Sequence, residues 1–304
     1  MKRRAFLGNT LAASAGLSMG LGALSSCAGN QERKITILHT NDVHSHIESF
    51  EMDHDRYPGM GGVARRANLI QSIRKENPNT LLFDAGDIFQ GTPYFNYFGG
   101  ELEFKMMSKL GYDAATIGNH DFDNGIDGLQ RQLPNAKFDF IVSNYDFSKT
   151  IMDGRTDGYK IYETGGVRVG VFGLGIQLKG LVDPALYKET KYLDPVEITQ
   201  DMARILKEEQ NCDLVVALSH LGYNYKGRPD RISDLNLAKK TEGVDLIIGG
   251  HTHTFLKKPT VVRNVAGKNM LVNQVGCWGV QVGRIDFEFN SRGKRSDKGT
   301  SIVV

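Results

Sequence analysis

The run Asp113-Ala114-Ala115-Thr116-Ile117-Gly118-Asn119-His120-Asp121-Phe122-Asp123 passes within eleven residues from an apolar strand into an amide, an imidazole and two carboxylates. An abrupt polar turn at the end of a buried strand is where an α/β protein places its chemistry. Taken alone, the turn reads equally as an Asx-rich bend in which Asn and Asp bond their own backbone. Four other apolar runs end in the same way, and that repetition makes the pattern informative. Lys34–His39 leads to Thr40-Asn41-Asp42-Val43-His44, and Thr80-Leu81-Leu82-Phe83 to Asp84-Ala85-Gly86-Asp87. Asp213–Leu218 leads to Ser219-His220, and Val244–Ile248 to Gly249-Gly250-His251-Thr252-His253.

Between these strands the pattern predicts helices over residues 63–76, 100–110, 196–209 and 232–240, stopped by Asn77-Pro78-Asn79 after the first and Gly111 after the second. Further strands are expected over 138–142 and 167–172. Three period-2 stretches without helices between them, Thr260–Arg263, Met270–Val275 and Val280–Phe289, read as antiparallel strands closing a second sheet. Helix–strand alternation followed by a strand-rich end predicts an α/β (α+β) sandwich of two mixed sheets with helices outside.

The 304 residues suffice for a large core, and 40% hydrophobic with 24% charged residues is ordinary globular composition. The net charge of +2 is unevenly placed. Lys2, Arg3 and Arg4 are the only charges in residues 1–26, so the remainder carries 34 basic against 35 acidic residues. That balance gives no electrostatic footprint for a nucleic-acid polymer. The basic opening and the uncharged Ala5–Ser26 run form an export segment. Gly8, Asn9, Ser14, Gly16 and Gly20 dilute that run too much for a membrane-spanning helix. Arg3-Arg4 resembles a twin-arginine signal, and Leu24-Ser25-Ser26-Cys27 a lipoprotein box that would put a lipid on Cys27 and tether an exported, periplasmic or envelope protein to a membrane. A plain secretory signal cleaved nearby is the alternative. Cys212 and Cys277 remain, enough for one disulfide, with no C-x-x-C motif; each flanks a strand-like segment, where a cysteine is by default a small buried hydrophobe.

Five of the eight histidines fall at the strand ends, leaving His39, His46 and His54 elsewhere. Residues i and i+2 of an extended segment point the same way, so Asp42 with His44, and His251 with His253, can each grip one site. Singly, each group has an ordinary explanation as a turn, a helix cap or a core histidine. Jointly, carboxylate, imidazole and amide oxygen without thiolate suit first-row divalent ions such as Mn, Zn, Fe or Co. The donors outnumber the needs of one tetrahedral ion, which points to two ions sharing a carboxylate.

In this order, Asp-x-His, Gly-Asp, Gly-Asn-His-Asp, Ser-His and Gly-Gly-His-x-His resemble the motifs of the calcineurin-like metallophosphatases. His39-Thr-Asn-Asp-Val-His44, Gly61-Gly-Val-Ala-Arg65, Gly86-Asp-Ile-Phe-Gln-Gly-Thr92 and Gly118-Asn-His-Asp-Phe-Asp-Asn-Gly125 resemble the catalytic domain of the 5′-nucleotidase family. The resemblance implies a four-layer αββα sandwich. It implies one ion on Asp42, His44, Asp87 and His253, and another on Asp87, Asn119, His220 and His251. His120, held by Asp123, is then a catalytic group and not a ligand, while Asp84 and Asp121 support the site from behind. The implied activity is hydrolysis of a phosphate ester, above all a nucleoside 5′-monophosphate. Cyclic-nucleotide or UDP-sugar phosphodiesterase, sulfur-ester hydrolysis, and a non-enzymatic metal-binding lipoprotein subunit are the rivals. The expected organisation is an export segment over 1–26, a short tether over 27–33, the catalytic domain over 34–290 and a solvated tail over 291–304, with no C-terminal nucleotide-binding domain. A separate polypeptide would then supply base recognition. Tyr94, Phe95, Tyr97 and Phe98 are candidates for a substrate rim or for packing.

Overall fold

Strand β1 (Arg33–Thr40) sets the layering by parity alone. Ile35 and Ile37 point into one core and Leu38 into another, because alternate side chains of a strand face opposite sides. The same parity sends His39 inward, away from any strand-end site. The structure is a computed structural model and describes residues 32–304 other than 229. The export segment over 1–26, Cys27 and most of the 27–33 tether lie outside the described residues.

After β1 come α1 (Val63–Glu76), β2 (Thr80–Asp84), α2 (Pro93–Phe98), α3 (Glu101–Leu110), β3 (Ala114–Ala115), α4 (Gly125–Gln132) and β4 (Asp139–Phe140). Next are β5 (Tyr145–Asp146), β6 (Tyr159–Thr164), β7 (Val167–Leu174), α5 (Pro184–Tyr187), β8 (Lys191–Tyr192), α6 (Pro195–Arg204) and β9 (Leu214–Ser219). The chain closes with α7 (Asp234–Lys240), β10 (Leu246–Gly249), β11 (Thr260–Arg263), β12 (Asn269–Asn273), β13 (Gln281–Phe289) and β14 (Arg295–Val303). One sheet has the order β14-β13-β1-β2-β3-β4 and the other β11-β12-β10-β9-β7-β6, with β5 and β8 forming a separate ribbon.

Three apolar layers hold this together. Ile35, Ile37, Phe83, Ile285 and Phe287 of the first sheet meet Val169, Val171, Val216, Leu218 and Ile248 of the second. Ile70, Ile73, Phe104, Met107 and Leu129 of the helices cover the outer face of the first sheet through Leu38 and Leu82. Met202, Leu206 and Leu237 cover the second through Val215, Ala217 and Ile247. This is the four-layer αββα sandwich of two mixed sheets. Cys212 and Cys277 are both free thiols in buried positions.

The last quarter departs from the sequence reading. β13 does not close the second sheet; it pairs antiparallel with β1 in the first. β12 runs parallel to β10, so only β11 joins antiparallel there. A period-2 pattern fixes which face is apolar but not which strand lies alongside. Residues 291–304 are not a solvated tail. Arg295–Val303 form an edge strand in register with β13, from Phe289↔Arg295 to Gln281↔Val303. The alternation is weak there because this edge is largely exposed; Arg295 holds it by lying over the Phe287 ring at 5.5 Å and pairing with Asp245. β6, likewise a half-exposed edge strand, carries too little alternation to be read. The expected strands over 113–117 and 138–142 shrink to two ladder residues each.

Candidate active site

β1, β2 and β3 are parallel neighbours, as are β7, β9 and β10, so their C-terminal ends gather along one edge of the sandwich. The chain must turn sharply there, and it does so at positive φ. Asp42 (50°), His44 (49°), Asp87 (55°), His251 (71°) and His253 (49°) all take the left-handed region that side-chain-bearing residues rarely adopt. Such conformations persist only where the surroundings over-determine them, and they concentrate at functional sites.

The turns bring two clusters together. Asp42, His44 and His253 offer donor atoms within 4.8 Å of one another, and so do Asp87, His220 and His251. Asp87 stands between them. Its Oδ2 is 3.0 Å from His220 Nε2 and 3.9 Å from His44 Nε2, and its Oδ1 accepts the His120 backbone N–H at 2.8 Å. Asn119 Oδ1 is 2.8 Å from His251 Nδ1, which adds the amide oxygen to the second cluster. Asp42 Oδ1 lies 3.4 Å from His253 Nε2, and both its oxygens accept the His251 N–H at 3.0 Å.

These groups fit divalent cations. His220 Nδ1 donates to Ala85 O at 2.6 Å, which leaves Nε2 as a bare lone pair facing Asp87, buried and without a hydrogen-bond partner. His44 Nε2 and His253 Nε2 point at each other across 3.1 Å, while His44 Nδ1 is placed to donate to Phe89 O at 3.2 Å. Ring nitrogens so aimed can take a cation, or a proton, between them. Without a metal a proton substitutes: burial opposes a charged His220, yet Asp87 and then Asp42 outweigh it and raise its pKa to about 10. Burial also opposes the Asp87 anion, but His220, His44 and His120 hold its pKa well below the usual carboxylate range.

His120 stands apart from both clusters. Its Nδ1 donates to Asp123 Oδ2 at 2.8 Å, and that bond raises the imidazole pKa. Its ring centroid is 5.3 Å from that of His44, so it flanks the clusters without joining them. Asp121 faces away from the site, accepting N–H groups from Asp87, Ile88, Phe89 and Gly118 at 2.8–3.1 Å. It is the template on which the Asp87 turn is folded. Asp84 accepts from Thr40 Oγ1 and Gly86 N, one strand further back. Gly118 is required for the approach of the two turns, since a Cβ there would sit 2.2 Å from Asp87 Oδ1.

Three supports were not legible beforehand. Asn41 bridges Asp42 Oδ2 (2.7 Å) to Gly276 O and Val275 N. Gln274 grips the Gly250–Thr254 turn through Gly250 O, Thr252 Oγ1 and Thr254 N. Trp278 N donates to Asp42 O at 2.7 Å. The one available signal was polar residues following an apolar strand, as at the end of Met270–Val275. His39 is fully buried between the sheets against Asn273, where burial depresses its pKa to about 3. Of the proposed rim aromatics, Phe95 is core and packs on Phe89, Tyr97 is 84% exposed, and Tyr94 stacks on Phe98 and bonds Glu48.

A family model described as Calcineurin-like phosphoesterase matches residues 35–255. The chain belongs to the calcineurin-like phosphoesterase family. This phosphoesterase is 36% identical over 292 residues to a snake venom 5′-nucleotidase of Gloydius brevicauda, covering 89% of this chain and 47% of that protein. It is 35% identical to the 5′-nucleotidase of Homo sapiens, covering 96% and 53%. Among solved structures, a 5′-nucleotidase precursor from Thermus thermophilus superposes with a TM-score of 0.78 at 35% identity, covering 89% of this chain and 54% of that one. The phosphoesterase chain thus spans about half the length of these relatives.

Behind the second cluster, Asp234 is buried, with Oδ1 accepting from Ser219 Oγ at 2.6 Å and Oδ2 unpartnered. Burial pushes its pKa up to about 8, partly offset by the Ser219 hydroxyl. Its folded pKa is therefore above the unfolded value of 3.8, and the folded state holds a proton that the unfolded chain releases between 3.8 and about 8. Stability from this group falls as pH rises through that window. Asp234→Asn removes the dependence, so the melting temperature of the variant is expected to gain on the wild type from pH 5 to pH 8. Parallel melting curves across that range would show that Asp234 is ionised in the fold.

Proposed function

We propose that this chain hydrolyses phosphate monoesters, nucleoside 5′-monophosphates first among them, with two divalent metal ions. The observation that carries the reading is the position of Asp87, between His44 and His220 on one oxygen and bonded to the His120 turn on the other. Asp42, His44, Asp87 and His253 would hold one ion, and Asp87, Asn119, His220 and His251 the other. When bound, the pair supplies the Lewis-acid charge that phosphoryl transfer demands.

The chain itself contributes the rest. Asp123 keeps a proton on His120 and orients its ring beside the two clusters. His120 can then stabilise negative charge on the phosphoryl group and give its proton to the departing alkoxide. Asp121 and Asn41 fix the backbone that carries Asp87 and Asp42, so the donors need no rearrangement on binding. The similarity to 5′-nucleotidases supports a nucleotide as the substrate class, with the nucleoside as leaving group. Export and a lipid on Cys27 belong to the same reading, on the strength of Arg3-Arg4 and Leu24–Cys27.

The test is phosphate release from AMP, beside bis(p-nitrophenyl) phosphate, by protein loaded with manganese and by the same protein after chelation. Turnover of AMP that vanishes on chelation and returns with manganese is expected. Preference for the diester would shift the reading to a phosphodiesterase, and turnover indifferent to chelation would remove the metal pair from it.

A further inference from the structure

Among the described residues, ten other than glycine have positive φ, and eight of them fall within or next to the strand-end turns. Seven are Asp42, His44, Ser45, Asp87, Gln90, His251 and His253, all ligand candidates or their close neighbours. The eighth is Trp278, at φ 61°, an uncommon and strained conformation for a bulky side chain. Its backbone N–H is bonded to Asp42 O, so the turn that carries the first cluster also fixes the indole.

The indole does not disappear into the core. Trp278 is half-buried, 6.4 Å between centroids from His253, and it packs against His46, Phe50 and Tyr57 at 5.5–5.7 Å. Tyr57 in turn stacks on Phe255, at 5.9 Å and 22°, and on His54. Phe255 is 39% exposed and Tyr57 half-buried. Beside them lies a depression of about 450 Å³ lined by Asp53, His54, Asp55, Arg56, Tyr57 and Trp278. An aromatic surface thus starts one ring away from the metal-ligand candidates and runs outward to solvent. Core packing does not account for rings left partly open, nor for strain spent on aiming an indole.

We propose that Trp278 and Tyr57, with Phe255 behind Tyr57, form a stacking platform for the nucleobase of the substrate, so that this domain itself discriminates a leaving group that carries an aromatic base. The inference rests on the phosphoesterase reading above and adds the specificity surface to it. Rings are the suitable recognition element, since every base offers a π-face and stacking needs no base-specific hydrogen bonds. A platform of this kind distinguishes a nucleotide from a sugar phosphate, and base from base only weakly.

The experiment compares kcat/KM for AMP and for ribose 5-phosphate in the manganese-loaded full chain, and follows the fluorescence of Trp278, the one tryptophan in the sequence. Tyr57→Leu and Trp278→Leu are each expected to lower the AMP-to-ribose 5-phosphate ratio about tenfold, the weight of one base–aromatic stack. Trp278→Phe should restore most of the ratio, and in the wild type adenosine should quench the indole where ribose 5-phosphate does not. An unchanged ratio in both leucine variants, or equal quenching by both probes, overturns the platform while leaving phosphoesterase activity intact. A mass that rises with concentration in the wild type but not in Tyr57→Leu would assign the surface to contact between copies and overturn it too. Adenosine quenching without turnover of either ester would instead sink the phosphoesterase reading and leave the aromatic site standing.

Discussion

Asp87→Ala is expected to reduce phosphate release to background and to lose at least one of two bound ions. Three dependences meet on this carboxylate. It supplies the anion 3.0 Å from His220 Nε2, the one near His44, and the acceptor for the His120 N–H. Without it, His220 keeps its Nδ1 bond to Ala85 O and faces only the more distant Asp42 Oδ1, at 3.9 Å, so the larger of the two charges that raise its pKa is gone. Loss of a group that merely supports a ligand costs about 10–100-fold in metal affinity. Loss of the group proposed to serve both ions is expected to exceed that range. Manganese stoichiometry and affinity by calorimetry, read beside phosphate release, decide the matter. Asp87→Asn is the companion, since it retains an oxygen for the His120 N–H and guards against simple misfolding. Two ions retained in both variants with turnover within tenfold of wild type would end the bridging assignment.

His120→Ala is expected to lower kcat by about 10²–10⁴-fold with both ions still bound, the usual weight of one positioned acid or base. The separation of the two effects is the point. His120 spends Nδ1 on Asp123, and its ring lies outside both donor clusters. Removing it should therefore disturb the reaction and not the metal content. Asp123→Asn keeps the ring but weakens its hold on the proton, so a smaller loss of kcat is expected, again without loss of metal. Activity and metal content falling together in His120→Ala would make His120 a ligand and would falsify its role as a proton donor.

How far the site could be read beforehand follows from the kinds of information involved. The donors were legible because each ends a strand whose apolar run is itself legible, as in Thr80–Asp87 or Val244–His253. Asp84 and Asp121 could be set aside as supports because a carboxylate beside turn glycines finds backbone N–H groups at hand. Residues acting across long sequence separations left no such mark. Gln274 holds a turn more than twenty residues earlier, Trp278 is bonded to Asp42, and His46 and His54 joined the site's rim although nothing local distinguishes them.

The sequence by itself determined which strand faces are apolar, which strand ends turn polar and the chemical types placed there, because period-2 parity and turn chemistry are local properties. Only the tertiary structure decided that β13 joins β1 and that 295–303 continue that sheet. It alone decided that Trp278 stands against the first cluster, bonded to Asp42 and beside His253. Those outcomes depend on which buried surfaces meet and on backbone turns at positive φ, and both are set by contacts between residues far apart in the chain.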